Sequence, residues 1–374
     1  MGRLVGGLVG GLVGRLVGGA PPHPHGRQPD GYCLPMPKPL SEQSVVVVGA
    51  SSGIGRATAL AFARKGARVT VAARSADDLT SLVAEITGAG GTATAVPTDV
   101  AEPDQLRELA TRAAAAHGGI DTWVNAAAVS VYGRVEEITP QEYERVLRVN
   151  LLGQVFGTQA ALPHLRSAGG GVLIGIASVE SYRAVPLHAP YTMSKFGVRA
   201  FYDTLRLELA EEGSPVAVTS ILPPGVDTPL FEHARTYQAE MPKPPPPVYA
   251  PEVVAAAVVR AAVKPTREVP IGAAAVGFLL SQRVNPAMTD ALMAAGGLLS
   301  KLQTSRRPDN GTDNLDSPVA GTGRTRGTYR GPVLRHSAFT RLVGQRSRPG
   351  DVALRLVTRV QGRRRGAGTG SPDR

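Results

Sequence analysis

The chain has 374 residues, with 41 Lys and Arg against 30 Asp and Glu, a formal net charge of +11. That excess is terminal: residues 303–374 hold 15 Arg and 5 acids, whereas residues 44–302 carry 22 basic and 23 acidic groups. A near-neutral middle argues against a nucleic-acid-binding core, and a single cysteine, Cys33, excludes an intrachain disulfide and a Cys-based metal site.

The chain opens with "MGRLVGGLVGGLVGRLVGG", an L-V-G-G/R unit repeated every four residues. Glycine is a poor helix former and Arg15 breaks the apolar run, which is short of the roughly 20 residues of a membrane span. Residues 1–43 therefore read as a low-complexity Gly/Pro-rich segment, with His23 and His25 in a solvated linker.

From residue 44 short apolar runs alternate with amphipathic stretches. Strands are predicted at 44–48, 68–73, 92–96, 120–125, 171–177 and 216–222, each rich in Val, Ile, Ala or Thr. Helices are predicted near 54–65, 77–88, 103–116, 140–167 and 191–211; Leu106, Leu109, Ala110 and Ala113 show the helical spacing. Such alternation predicts an α/β fold with a parallel sheet covered on both faces, and Trp123 in its core.

Beyond 225 the pattern changes. "EMPKPPPPVYAPE" predicts no regular structure, because proline removes amide donors and fixes φ. A helix near 251–263 and a strand near 268–271 follow. Residues 273–302 form an apolar extension, read as two short helices, and 303–374 as a disordered basic tail that includes the Arg run 363–365.

Gly49, Gly53 and Gly55 in "SVVVVGASSGIGRATAL" lie between a strand and a helix. Such a turn suits a phosphate cradle, with glycines admitting close backbone approach and a helix N-terminus offering N–H groups. A structural bend fits three glycines equally well. Tyr191 and Lys195 in "YTMSK" share one helix face, where an ammonium beside a phenol favours the phenolate and poises it for acid–base work.

With "GASSGIG", "DV" (Asp99, Val100), "VNAAA" (124–128), "VNLLG" (149–153), Ser178…Tyr191…Lys195 and "PGVDT" (224–228) in this order, the chain resembles the short-chain dehydrogenase/reductase family over about 44–270. The resemblance implies a doubly wound Rossmann-type catalytic domain at 44–272. It also implies a tetrad of Asn150, Ser178, Tyr191 and Lys195. Tyr191 would exchange the proton with the substrate oxygen, Ser178 would bond that oxygen, Lys195 would hold the nicotinamide ribose, and Asn150 would hold a relaying water. Cofactor contacts are expected from Gly49, Ser51, Ser52, Gly53, Ile54, Gly55, Asp99, Val100, Asn125, Tyr191, Lys195, Pro224, Gly225, Val226 and Thr228. Glu180, Tyr182, Arg183 and Leu187 occupy the stretch where the family places substrate-facing residues, while His188 reads as a bystander. Two departures stand out: Val48 replaces the usual Thr, and Ala126 and Ala128 replace the usual Asn and Gly.

At the end of the second strand Ala73 occupies the place of the acid that binds a ribose 2′-OH, and Arg74 follows. A guanidinium there suits a 2′-phosphate, so NADP(H) is favoured over NAD(H), with Arg56 a second, weaker candidate. The reading is a carbonyl–alcohol oxidoreductase acting on an apolar small molecule, with no metal. It is expected to be cytoplasmic and a homodimer or homotetramer built on the helices at 140–167 and 191–211. The rivals are a weakly catalytic cofactor-binding scaffold and the same enzyme held at a membrane surface.

Overall fold

The computed structural model describes residues 37–273, 275–277, 285–294, 303–319, 321 and 323–343. His23, His25, Cys33, the N-terminal repeat and the 363–365 Arg run lie outside the described residues.

Five valine-rich residues start the fold. In β1 (Ser44–Val48), Val45 and Val47 pack into one hydrophobic cluster while Val46 and Val48 pack into another. Alternate side chains of a strand point to opposite faces, so β1 is buried on both sides. Each fully buried valine contributes roughly 1.5–3 kcal/mol relative to exposure. Val48, the departure from the family's Thr, is simply core, 1% exposed.

Around β1 run β2 (Arg68–Ala73), β3 (Thr92–Pro97), β4 (Thr122–Asn125), β6 (Gly171–Ile176), β7 (Val216–Leu222) and β11 (Glu268–Pro270). They form one parallel seven-stranded sheet in the order β11-β7-β6-β4-β1-β2-β3. Outside it, β5 (Val131–Tyr132) pairs with β8 (Arg235–Thr236). Strand order reverses direction between β1 and β4, which opens a crevice at their C-terminal ends. The covering helices are α1 (Gly53–Ala63), α2 (Ala76–Gly88), α3 (Pro103–His117), α4 (Pro140–Leu147), α5 (Gly153–Ser167), α6 (Ala189–Glu211) and α7 (Pro251–Ala261). The expected Rossmann-type α/β architecture is present, and Trp123 is fully buried within it.

Three expectations need correction. The helix expected over 140–167 is two helices, α4 and α5, joined by a π turn at Arg148–Leu152. The extra residue in that turn accompanies a tie between Asn150 and the backbone of Val129. The proline-rich stretch carries two short strands, β9 (Glu240–Pro242) and β10 (Val248–Tyr249), because partners outside it supply the ladder.

Those partners come from the region expected to be a disordered tail. Strand β12 (Thr304–Pro308) pairs antiparallel with β9, and β13 (Val333–Leu334) pairs with β10. Helix α9 (Ala338–Val343) follows β13, and the Gly272 amide donates to the hydroxyl of its Thr340. Residues 303–343, in the parts described, thus form a strap along the main-sheet domain; residues beyond 343 lie outside the described residues. In the apolar extension, α8 (Pro286–Ala294) is described. No helix among the described residues is long and apolar enough to cross a membrane.

Candidate active site

The crevice at the β1/β4 switch holds a groove of about 300 Å³. Its floor at one end is the glycine turn. Gly49 has φ +84, and a Cβ there would run into the Ala127 amide. A Cβ on Gly55 would strike the Gly49 carbonyl. Ser52, the residue preceding α1, makes no side-chain cap, so the first amides of that helix are left for other acceptors.

Most of the expected cofactor residues line this groove: Gly49, Ser51, Ser52, Gly53, Ile54, Gly55, Arg74, Asp99, Val100, Pro224, Gly225, Val226 and Thr228. Asn125 does not. Its amide is spent on the Trp123 indole (2.8 Å), the Gln154 carbonyl (3.3 Å) and the Tyr202 hydroxyl (3.1 Å), a buried knot under the sheet. Arg56 is also turned away, donating to the Asp78 carbonyl, the Ser81 hydroxyl and the Glu85 carboxylate on α2. Asp99 pairs with Arg145 at 3.1 Å.

At the other end stand Ser178, Tyr191 and Lys195. Ser178 follows β6, and its hydroxyl accepts the Glu180 amide at 3.1 Å. Tyr191 lies in the first turn of α6 and Lys195 one turn later, so both project to one face. The Lys195 Nζ donates to the Ile176 carbonyl at 3.0 Å and lies 5.2 Å from the centre of the Tyr191 ring.

Burial governs both groups. It lowers Lys195 to about 8 despite the opposing pull of Glu180. It pushes the Tyr191 phenol above its ordinary value of 10.0, aided by the Glu180 carboxylate and opposed by the Ser178 hydroxyl. The expected depression of Tyr191 by Lys195 is therefore not found. The ammonium donates to the Ile176 carbonyl and lies over the face of the Tyr191 ring.

Asn150 is fully buried in the π turn and does not line the groove. Both its amide protons are used, on the Val129 carbonyl (2.9 Å) and the Ser194 hydroxyl (3.3 Å), while its oxygen accepts the Val129 amide (2.8 Å). Of the four residues of the expected tetrad, three meet at the groove and the fourth braces its wall.

His188, read from the sequence as a bystander, is at the centre. Its ring stacks between Tyr132 (4.2 Å) and Tyr191 (4.3 Å, 6° interplanar). Nε2 bonds the Ser130 hydroxyl, and Nδ1 lies 3.2 Å from the Glu180 carboxylate, which also accepts from the Thr192 hydroxyl at 2.7 Å. The available signal was its place three residues before Tyr191, at helical spacing. Of Glu180, Tyr182, Arg183 and Leu187, only Glu180 lines the groove. The Tyr182 hydroxyl bonds Glu268 (2.5 Å), Arg183 pairs with Asp290 of α8, and the Leu187 carbonyl accepts from Gly133 (2.9 Å).

The model of the short chain dehydrogenase family matches residues 43–239, more than half the chain and all of the groove's floor. The chain belongs to the short chain dehydrogenase family. It is therefore an NAD(P)-dependent oxidoreductase acting on CH–OH groups. An uncharacterized oxidoreductase, YxnA of Bacillus subtilis (strain 168), is 36% identical over 307 residues, covering 81% of this chain and 86% of the relative. Among solved structures, an alcohol dehydrogenase from the archaeon Thermococcus sibiricus complexed with 5-hydroxy-NADP aligns with TM-score 0.53 and 28% identity. That alignment covers 60% of this chain and 94% of the other. A metagenomic short-chain oxidoreductase in complex with NADP aligns with TM-score 0.53 and 29% identity, covering 63% and 98%.

Proposed function

We propose that the protein is an NADP(H)-dependent oxidoreductase interconverting an apolar ketone or aldehyde with its alcohol. The carrying observation is the meeting of Ser178, Tyr191 and Lys195 at one end of a groove whose other end is a glycine cradle. The cradle fits a pyrophosphate: the Gly49 turn has no room for a Cβ, and the first amides of α1 lack a side-chain cap. When bound there, the nicotinamide supplies or accepts the hydride.

Tyr191 donates its proton to the substrate oxygen in reduction and takes it back in oxidation. Its raised pKa keeps it protonated until the reaction draws on it. The Ser178 hydroxyl bonds the same oxygen and stabilises its developing negative charge. Lys195, buried and near its titration point, would hold the nicotinamide ribose, and the proton that Tyr191 gives up is restored from solvent. Asn150 positions the wall through Val129 and Ser194. His188 clamps the plane of the Tyr191 ring.

Leu230, Phe231, Pro245, Pro246 and Val185 line the substrate side, which supports an apolar substrate. Ala73 offers no carboxylate to repel a 2′-phosphate, and the adjacent Arg74 supports NADP(H) over NAD(H). The two neighbours with bound NADP-type cofactors support the same choice. A cytoplasmic location and a homo-oligomeric assembly belong to this reading as well.

A panel of ketones, aldehydes and alcohols, followed by NADPH absorbance, tests the reaction; no turnover on any member counts against it. Loss of a charge-assisted bond predicts that Arg74→Ala weakens NADPH binding by about tenfold or more while sparing NADH. Equal losses for both cofactors would contradict the assignment of Arg74.

A further inference from the structure

The adenosine end of the groove is covered by the strap. Arg74 Nη1 donates to the Asp316 carbonyl at 2.9 Å and to the Leu315 carbonyl at 3.4 Å, and Nη2 donates to the Asn314 carbonyl at 2.5 Å. A fork of guanidinium donors thus meets three converging oxygens, the arrangement it would make with a phosphate. At the glycine turn, the Gly53 amide donates to the Arg324 carbonyl at 3.0 Å. Gly53 opens α1, where free amides suit an anion. Both phosphate-recognition points are therefore met by carbonyl oxygens from one stretch of chain.

The hold on that stretch is strong in number and weak in each part. Arg235 pairs with Asp313 (2.9 Å), Asp316 (2.8 Å) and Glu142 (3.2 Å). Arg145 Nε donates to the Leu315 carbonyl at 3.0 Å, and the Leu315 side chain is buried in the main core. Farther along, Glu232 accepts from Arg324 (2.6 Å) and from the Thr328 amide (2.5 Å). The partly exposed pairs each add little, so the buried Leu315 side chain is the firmer anchor of this stretch. A phosphate dianion, moreover, adds a charge opposite to the guanidinium's, which neutral carbonyls lack, and can take both of its arms at once. A cofactor carrying a 2′-phosphate has the means to displace residues 314–316.

We propose that the strap is an internal competitor for the cofactor's phosphates, and that the carbonyls of residues 314–316 set the balance between NADP(H) and NAD(H) by occupying Arg74. This rests on the reading that Arg74 receives the 2′-phosphate. NADP(H) must displace these carbonyls, whereas NAD(H) leaves them in place. Apparent NADP(H) affinity is then the intrinsic affinity scaled by the fraction of molecules with Arg74 released.

Titrating the full chain with NADPH and with NADH, followed by fluorescence, tests this in D313A/D316A and E232Q. D313A/D316A removes both strap carboxylates held by Arg235, and should tighten NADPH about three- to tenfold while leaving NADH within about twofold. E232Q loosens the end over the glycine turn and should tighten both cofactors alike, because the pyrophosphate is common to them. In the unmodified chain, adenosine 2′,5′-bisphosphate should speed hydrogen exchange at the amides of Asn314 and Leu315, which now donate to His233 and Asp313. Adenosine 5′-monophosphate should not.

The competitor is overturned if D313A/D316A leaves NADPH affinity unchanged or weaker, tightens NADH as much, or if neither nucleotide moves the exchange. Arg74→Ala separates the two layers. If it weakens NADPH while D313A/D316A has no effect, the competitor fails and the Arg74 reading stands. If Arg74→Ala spares NADPH, the Arg74 reading itself fails.

Discussion

The two ends of the groove are built on opposite plans. At the catalytic end the supports are buried and come from nearby chain. Lys195 is held by the Ile176 carbonyl, His188 by Ser130 and Glu180, and Glu180 by Thr192, all within residues 130–195. At the adenosine end Arg74 is met by backbone some 240 residues later in sequence, fastened by partly exposed ion pairs. Buried hydrogen bonds are costly to break one at a time, whereas exposed ion pairs give way cheaply. On the proposed reading, the chemistry is set rigidly while cofactor access is left adjustable.

The sharpest way to separate the ends is Tyr191→Phe. It removes the proposed proton donor and keeps the ring that stacks on His188, so turnover should fall by about 10²–10⁴-fold with the fold intact. NADPH binding, proposed to depend mainly on the other end, should change little. A parallel loss of binding and turnover would merge what the structure keeps apart.

Gly49→Ala should break the adenosine end instead. The left-handed φ and the collision with the Ala127 amide together cost roughly 2–5 kcal/mol. Urea unfolding should show the loss in stability, and NADPH titration the loss of the cradle. An unchanged midpoint would mean that the turn tolerates a side chain.

The smallest effect concerns pH and the burial of Lys195. Its pKa is lowered in the fold from 10.5 to about 8, so its stability contribution is complete above 10.5 and is lost as pH falls to about 8. The buried Tyr191 phenol has the opposite sign: raised above 10.0, it contributes below that value and loses its contribution above it. Comparing wild type with Lys195→Met isolates the first term. The urea midpoint of wild type relative to the variant should rise with pH across 8 to 10.5. A flat difference would place Lys195 in contact with water.

The same contrast decides what the sequence revealed. The seven strands of the main sheet follow from short runs of Val, Ile, Ala and Thr, and the catalytic end from spacing within one helix and one loop. Two features escaped for physical reasons. The π turn at Arg148–Leu152 leaves the helical periodicity of 140–167 nearly intact, because one added residue does not disturb the apolar stripe enough to show. The strap has no periodicity at all. Its order comes from single anchors, Leu315 in the core and Asp313, Asp316 and Arg324 on charged partners far away in sequence, and composition rich in Arg, Gly and Pro conceals them. Asn125 lies outside the groove's lining, which its motif position does not reveal: Trp123, Gln154 and Tyr202 claim its amide.

The central claim is hydride transfer at the Ser178–Tyr191–Lys195 end of the groove. It is tested most directly with NADPH deuterated at nicotinamide C4 and a carbonyl compound turned over in the panel, the alcohol being analysed by mass spectrometry. One deuterium is expected on the carbinol carbon, with the hydroxyl proton drawn from solvent. An alcohol formed without deuterium on that carbon, from cofactor labelled at either face, would contradict it.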